Sequence, residues 1–162
     1  MQNLVESHLP TWERAHEFVD VYFQEISWIF RGLSRTQLTD DMLPAIYRRR
    51  PGQPSEDYTG PHDLALLFII FAIASLVQPE PSSALGEHFH QVSKAALALQ
   101  PVLEKPSIVT IQVLRIMSIY NAMSGMDFES ETRMETTWSL ITLASHLSQT
   151  VSGNYLNLAA VC

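Results

Sequence analysis

Cysteine is nearly missing from this chain of 162 residues: there is one, Cys162, and it stands last. A single thiol makes no internal disulfide, and without a CxxC pair or a cysteine cluster the chain has no thiolate set to hold a structural metal. This usage is compatible with a reducing compartment. Charge is sparse as well, at 17% of residues, and positive charge especially so, since 10 Lys and Arg against 17 Asp and Glu leave a formal net charge of -7. Such a field repels phosphate backbones and acidic lipid surfaces, which argues against unaided nucleic-acid binding. None of the patterns GxGxxG, GxxxxGK with Ser or Thr, HExxH or GxSxG occurs, so the short signatures of nucleotide binding, zinc proteolysis and serine hydrolysis are lacking. No window alternates cleanly between apolar and polar, and no fixed period marks a solenoid.

What the chain has is apolar residues, 46% of the total. With a mean hydropathy of +0.04 it belongs with globular proteins and not with disordered ones. Its length fits one core of about 100 to 200 residues, or part of a larger one. The stretch Met1 to Pro10 has no basic region followed by an apolar one and does not resemble a secretory signal, so an intracellular protein is expected. The longest apolar run, Leu64 to Val77, invites a membrane reading. It is shorter than the about 20 residues a spanning helix needs, so a helix buried in a protein core is expected instead.

Periodicity places six helical segments. Trp12, Ala15, Val19, Tyr22, Ile26 and Ile29 form one stripe, with Glu13, Glu17, Asp20 and Glu25 off it, Thr11 as the cap and Gly32 as the stop. Leu38, Met42, Ile46 and Tyr47 form a short face that Pro44 should kink, because proline lacks an N–H and crowds the preceding turn. Arg48, Arg49 and Arg50 then lead into the loop PGQPSEDYTGP. After the Leu64 to Val77 helix, Leu85, Phe89, Val92, Ala96 and Leu99 repeat at helical spacing, with Glu87, His90, Gln91 and Lys94 facing away. Ser107 caps a helix from Ile108 to Met123 whose polar row is Gln112, Arg115, Ser118 and Asn121. The polar stretch SGMDFESETRME reads as a second loop, and Trp138, Leu140, Ile141, Ala144, Leu147 and Val151 as the final helical face. The expected fold is all-α, an antiparallel array of about six helices.

Each candidate for chemistry has a plainer explanation. Glu87, His88 and His90 come nearest to a metal site, yet residues two apart on a helix point about 200° apart, so solvent-side or half-buried histidines are expected. His16, His62 and His146 are isolated and form no nucleophile arrangement. Asp40 and Asp41 suit the first turn of a helix, where they complement its dipole, and Arg48 to Arg50 suit a helix C-terminus in the same way. Met117, Met123 and Met126, with Tyr120 and Phe128, could line an adaptable apolar pocket, since Met tolerates variable shapes, but core packing is the default explanation. No catalytic, cofactor-binding or metal-binding residue is assigned. From the residues alone the chain is a helical interaction domain.

The order of several segments resembles the fungal-specific transcription factor domain, the middle homology region found downstream of binuclear zinc-cluster modules. The carriers are Leu9 to Ala15, Tyr22-Phe23 and Ser27 to Arg31; then Pro61 to Ala65 with Leu67-Phe68; then Ile111-Gln112 with Tyr120 to Gly125; and last Trp138 to Leu140 with Ala144 and Leu147. No one of these is diagnostic; their joint order carries the resemblance. It implies a regulatory domain, residues 1–151, that senses an effector or partner, in a nuclear protein that controls transcription. It also implies that zinc and DNA are bound by a six-cysteine module this chain lacks. The partners it implies are other protein domains or a small effector, with DNA reached only through that module and no membrane. Residues 152–162 depart from the family pattern, so an incomplete domain with a divergent tail is expected, as is self-association through exposed apolar surface. The alternative is a generic helical scaffold that binds a partner helix.

Overall fold

The computed structural model describes residues 2–29, 31–47, 58, 60–104, 106–124 and 130–159, with side chains of the last helix described over 134–152. Every element among them is helical: α1 (Gln2–Glu6), α2 (Trp12–Glu25), a π-helical segment (Gln37–Met42) that runs into α3 (Leu43–Tyr47), α4 (Pro61–Val77), α5 (Ser83–Leu97), α6 (Ile108–Ser124) and α7 (Ser130–Ala159). The chain is all-α, as expected. Among the described residues α1 is the addition to the six expected segments; at five residues it is too short to show a period. No helix is long and apolar enough to cross a membrane among the described residues. The elements fall into two compact units, residues 1–100 and 101–162.

In the first unit α2 starts where Thr11 Oγ1 accepts the Arg14 N–H at 3.4 Å. Ala15, Val19, Tyr22 and Ile26 are buried as their spacing predicts, and Phe18 joins them from the edge of the same arc. The helix stops at Glu25, well before Gly32, and a turn carries Trp28 and Ile29 out into solvent. Pro44 has a larger effect than a kink. The Leu43 N–H reaches five residues back to the Leu38 carbonyl, which widens the turn just before the ring that would otherwise crowd the residue-40 carbonyl. Asp40 and Asp41 lie exposed in that wide turn, while Arg48 to Arg50 lie outside the described residues.

The unit is built around α4. Pro61 occupies its first turn, and the Asp63 carboxylate accepts the Gly60 N–H at 2.9 Å. Every residue from Leu64 to Ser75 is buried; each such Leu, Ile or Phe contributes roughly 1.5–3 kcal/mol by leaving water. α5 returns antiparallel to α4, and their connection is held by the Ser82 N–H on the Ser75 carbonyl at 2.9 Å. α2 also runs antiparallel to α4: near one end Arg14 Nη2 donates to Gln78 Oε1 at 2.8 Å, and further along Phe18 meets Phe71 with ring centroids 5.5 Å apart. Phe89 on α5 contacts Phe18, Phe68 and Phe71, so one aromatic cluster ties the three helices together.

The second unit is a helical hairpin of α6 and α7. Ser107 and Thr110 cap each other at the start of α6, since Ser107 Oγ accepts the Thr110 N–H at 3.1 Å and Thr110 Oγ1 accepts the Ser107 N–H at 3.2 Å. Gln112 and Arg115 face outward, but Ser118 and Asn121 are buried. A three-residue spacing slips by about 60° at each step, so the expected polar row winds off the solvent side. α7 begins at Ser130, inside the stretch expected to be loop, and it continues through Gly153 to Ala159.

Candidate interaction surface

The histidines do not converge. His88 is exposed and its ring lies 5.1 Å from that of His8, whereas His90 is buried at 7% exposure, with Nδ1 3.7 Å from Glu87 Oε2. The expectation that His90 faces away is therefore corrected: the stripe Phe89, Val92 and Ala96 is broad enough to take in its flank, along with Gly86 and Ser93. His62 is buried at the start of α4 with Nε2 3.1 Å from the Gln100 carbonyl oxygen, and His16 packs edge-on against Trp12 at 4.4 Å. His146 is exposed on α7. Among the described residues no three His, Cys, Asp or Glu side chains come together as a metal-holding group. A zinc cluster of the kind the resemblance implies does not fit this chain, whose one cysteine cannot supply its thiolates.

Two titratable groups are displaced from their ordinary values. Burial raises the Tyr47 phenol well above the usual range, and its hydroxyl donates to the Pro10 carbonyl at 2.8 Å beside the Trp12 ring. For Glu87, partial burial works to raise the pKa, but the hydrogen bond from Gln91 and the charges of His90 and Lys94 outweigh it and hold the carboxyl below its ordinary value. The Tyr47 bond ties the end of α3 to the residues before α2, the Glu87 contacts stay within α5, and neither presents a reacting pair. Met117 and Tyr120 are buried in α6 and Met123 is half-buried; Met126 and Phe128 lie outside the described residues.

What the described surface offers is apolar area. On α7, Ala144 and Leu147 are buried against α6, and Leu140 and Val151 lie half-buried on the same face. Trp138 and Ile141, expected on that buried face, instead point outward at 64% and 39% exposure, and Met134 joins them at 60%. An apolar set spaced three and four apart marks one helical face but cannot say whether the protein's own core or something else covers it. Signals for this surface were present in the sequence: Trp138 sits about 160° from Leu140 and about 120° from Ala144 in projection, and no charged residue follows Glu135.

These features define an all-α fold. The family model described as the fungal specific transcription factor domain matches residues 19–156, most of the chain, and the chain belongs to that family. Among curated proteins and among solved structures nothing matches it.

Proposed function

We propose that this chain is a regulatory, non-enzymatic part of a fungal zinc-cluster transcription factor, one that does not itself touch DNA. The observation that carries the proposal is family membership over residues 19–156. A net charge of -7 supports the second half of it, because a segment that repels phosphate has to act on transcription through other protein domains or a small effector. Regulation of this kind needs only that an effector or partner favour one packing of the helices over another. DNA binding and zinc belong to a separate module of such a factor, and residence in the nucleus follows from the same role. Tethering the chain to a heterologous DNA-binding module and an activation segment in a yeast reporter strain tests the reading. Reporter output should change when the chain is inserted, and the chain alone should not shift DNA on a gel at low salt. Unchanged output would count against the regulatory role, and a gel shift against the indirect one.

A further inference from the structure

Three hydroxyl residues of the chain have an arginine three places before them: Ser34, Ser118 and Thr136. Positive charge at a fixed offset from a hydroxyl is a pattern that protein kinases read with their own carboxylates, and in-line phosphoryl transfer needs that hydroxyl free and reachable. The structure separates the three. Ser118 is 4% exposed and its Oγ donates to the Arg115 carbonyl at 2.6 Å. Thr136 lies inside α7 directly after Glu135, so reaching it means unwinding a helix beside a charge of the wrong sign. Ser34 is exposed within residues 31–34, which form no helix, and its hydroxyl makes no hydrogen bond among the described residues. We propose that Ser34 is a phosphorylation site for an arginine-directed Ser/Thr protein kinase, with Arg31 as the charge the kinase reads.

In a chain with 10 Lys and Arg and a net charge of -7, Arg31 and Arg35 stand on either side of this serine. Both are exposed. Transfer moves the γ-phosphoryl group of ATP to Ser34 Oγ. The new P–O bond forms as the bond to ADP breaks, ADP leaves with that electron pair, and the kinase's carboxylate base takes the hydroxyl proton. The product carries about −1.5 to −2 charge at neutral pH. Arg35 is held by Asp20 on α2, Nη1 to Oδ1 at 2.7 Å, and its guanidinium stands 5.0 Å over the Phe23 ring, which ties this segment to α2. Both partners of that ion pair are half exposed, at 52%, so the pair is weak, and a phosphate on the adjacent residue competes for the same guanidinium. Modification therefore loosens the link between α2 and the segment that leads into the wide turn. This site stands independently of the regulatory reading.

Incubating the full chain with ATP and an arginine-directed kinase tests this, with mass spectrometry of its peptides as the readout. One phosphate should appear, on the peptide that holds Ser34. Ser34→Ala should take up none, and Arg31→Ala should react at least about tenfold more slowly, the loss expected for one hydrogen bond to a charged group. Both variants change exposed side chains, so their circular dichroism should match that of the parent chain. The Ser34 peptide of the chain expressed in yeast should carry the same phosphate. Asp20→Asn should slightly lower the melting temperature of the unmodified chain and leave that of the phosphorylated chain unchanged. Phosphate on Ser118 or Thr136 with Ser34 bare, an undiminished rate in Arg31→Ala, or a bare Ser34 peptide from yeast would overturn the site. An equal drop in both forms of Asp20→Asn would overturn the loss of the Arg35 link.

Discussion

The Ser93 hydroxyl on α5 donates to the Ala65 carbonyl oxygen on α4 at 2.6 Å, with both residues fully buried. The carbonyl belongs to a helix interior, so the serine uses its second lone pair. A bond this short between a side chain and a neighbouring backbone requires small residues on both helices at the crossing. α4 and α5 are therefore fixed in register as well as pressed together.

Ser93→Ala should lose that bond and little else, at a cost of about 0.5–1.5 kcal/mol in urea unfolding. Ser93→Leu should cost more, because the added carbons have no room at the close crossing.

Phe89 is the one ring that touches Phe18, Phe68 and Phe71 together. Phe89→Ala should cost about 3–5 kcal/mol. That is a large share of the about 5–15 kcal/mol of a typical domain, so circular dichroism should show a broadened or lost transition.

Tyr47 should make stability fall in alkali. Its folded pKa is raised, so its contribution is complete below the unfolded value near 10 and is lost as pH rises from there toward the folded one. Tyr47→Phe should be less stable at neutral pH through loss of the bond to Pro10, and its stability should decline less above pH about 10. Thermal unfolding across that range checks both.

Glu87 should act in the opposite direction. Its folded pKa is depressed, so its contribution is present above the unfolded value near 4.3 and disappears as pH falls through the folded one. Glu87→Gln should therefore flatten the acid side of the stability profile and leave the alkaline side unchanged.

The fold was legible where burial is nearly complete or one-sided. Leu64 to Val77 shows no polar face, which leaves only a core position for a helix of that length, and the structure puts it at the centre of its unit. Faces were harder to read. Phe18 and His90 lie on the margins of their arcs, and only the neighbouring helices decide whether a margin is covered. Trp138 and Ile141 were legible as apolar and helical, but a hydrophobic stripe looks the same whether it meets its own core or an outside surface. The π-helical turn was half legible: Pro44 marks the disturbance, while the hydrogen bond that absorbs it depends on the backbone around Leu38.

That wide turn also sets an angle. A loop of five residues where an α-helix uses four amounts to one extra residue in the winding, so all that follows is rotated by nearly one position about the axis. Ile46 is buried and Tyr47 reaches Pro10 at the azimuth this produces. Deleting one residue between Gln37 and Asp41 should restore ordinary winding and leave Ile46 and Tyr47 at nearly the same azimuth, whereas ordinary winding without a deletion would turn them by about 100°, away from the core and from Pro10. Pro44→Ala should free the same segment to sample both windings, which makes proline the residue that keeps α3 in phase.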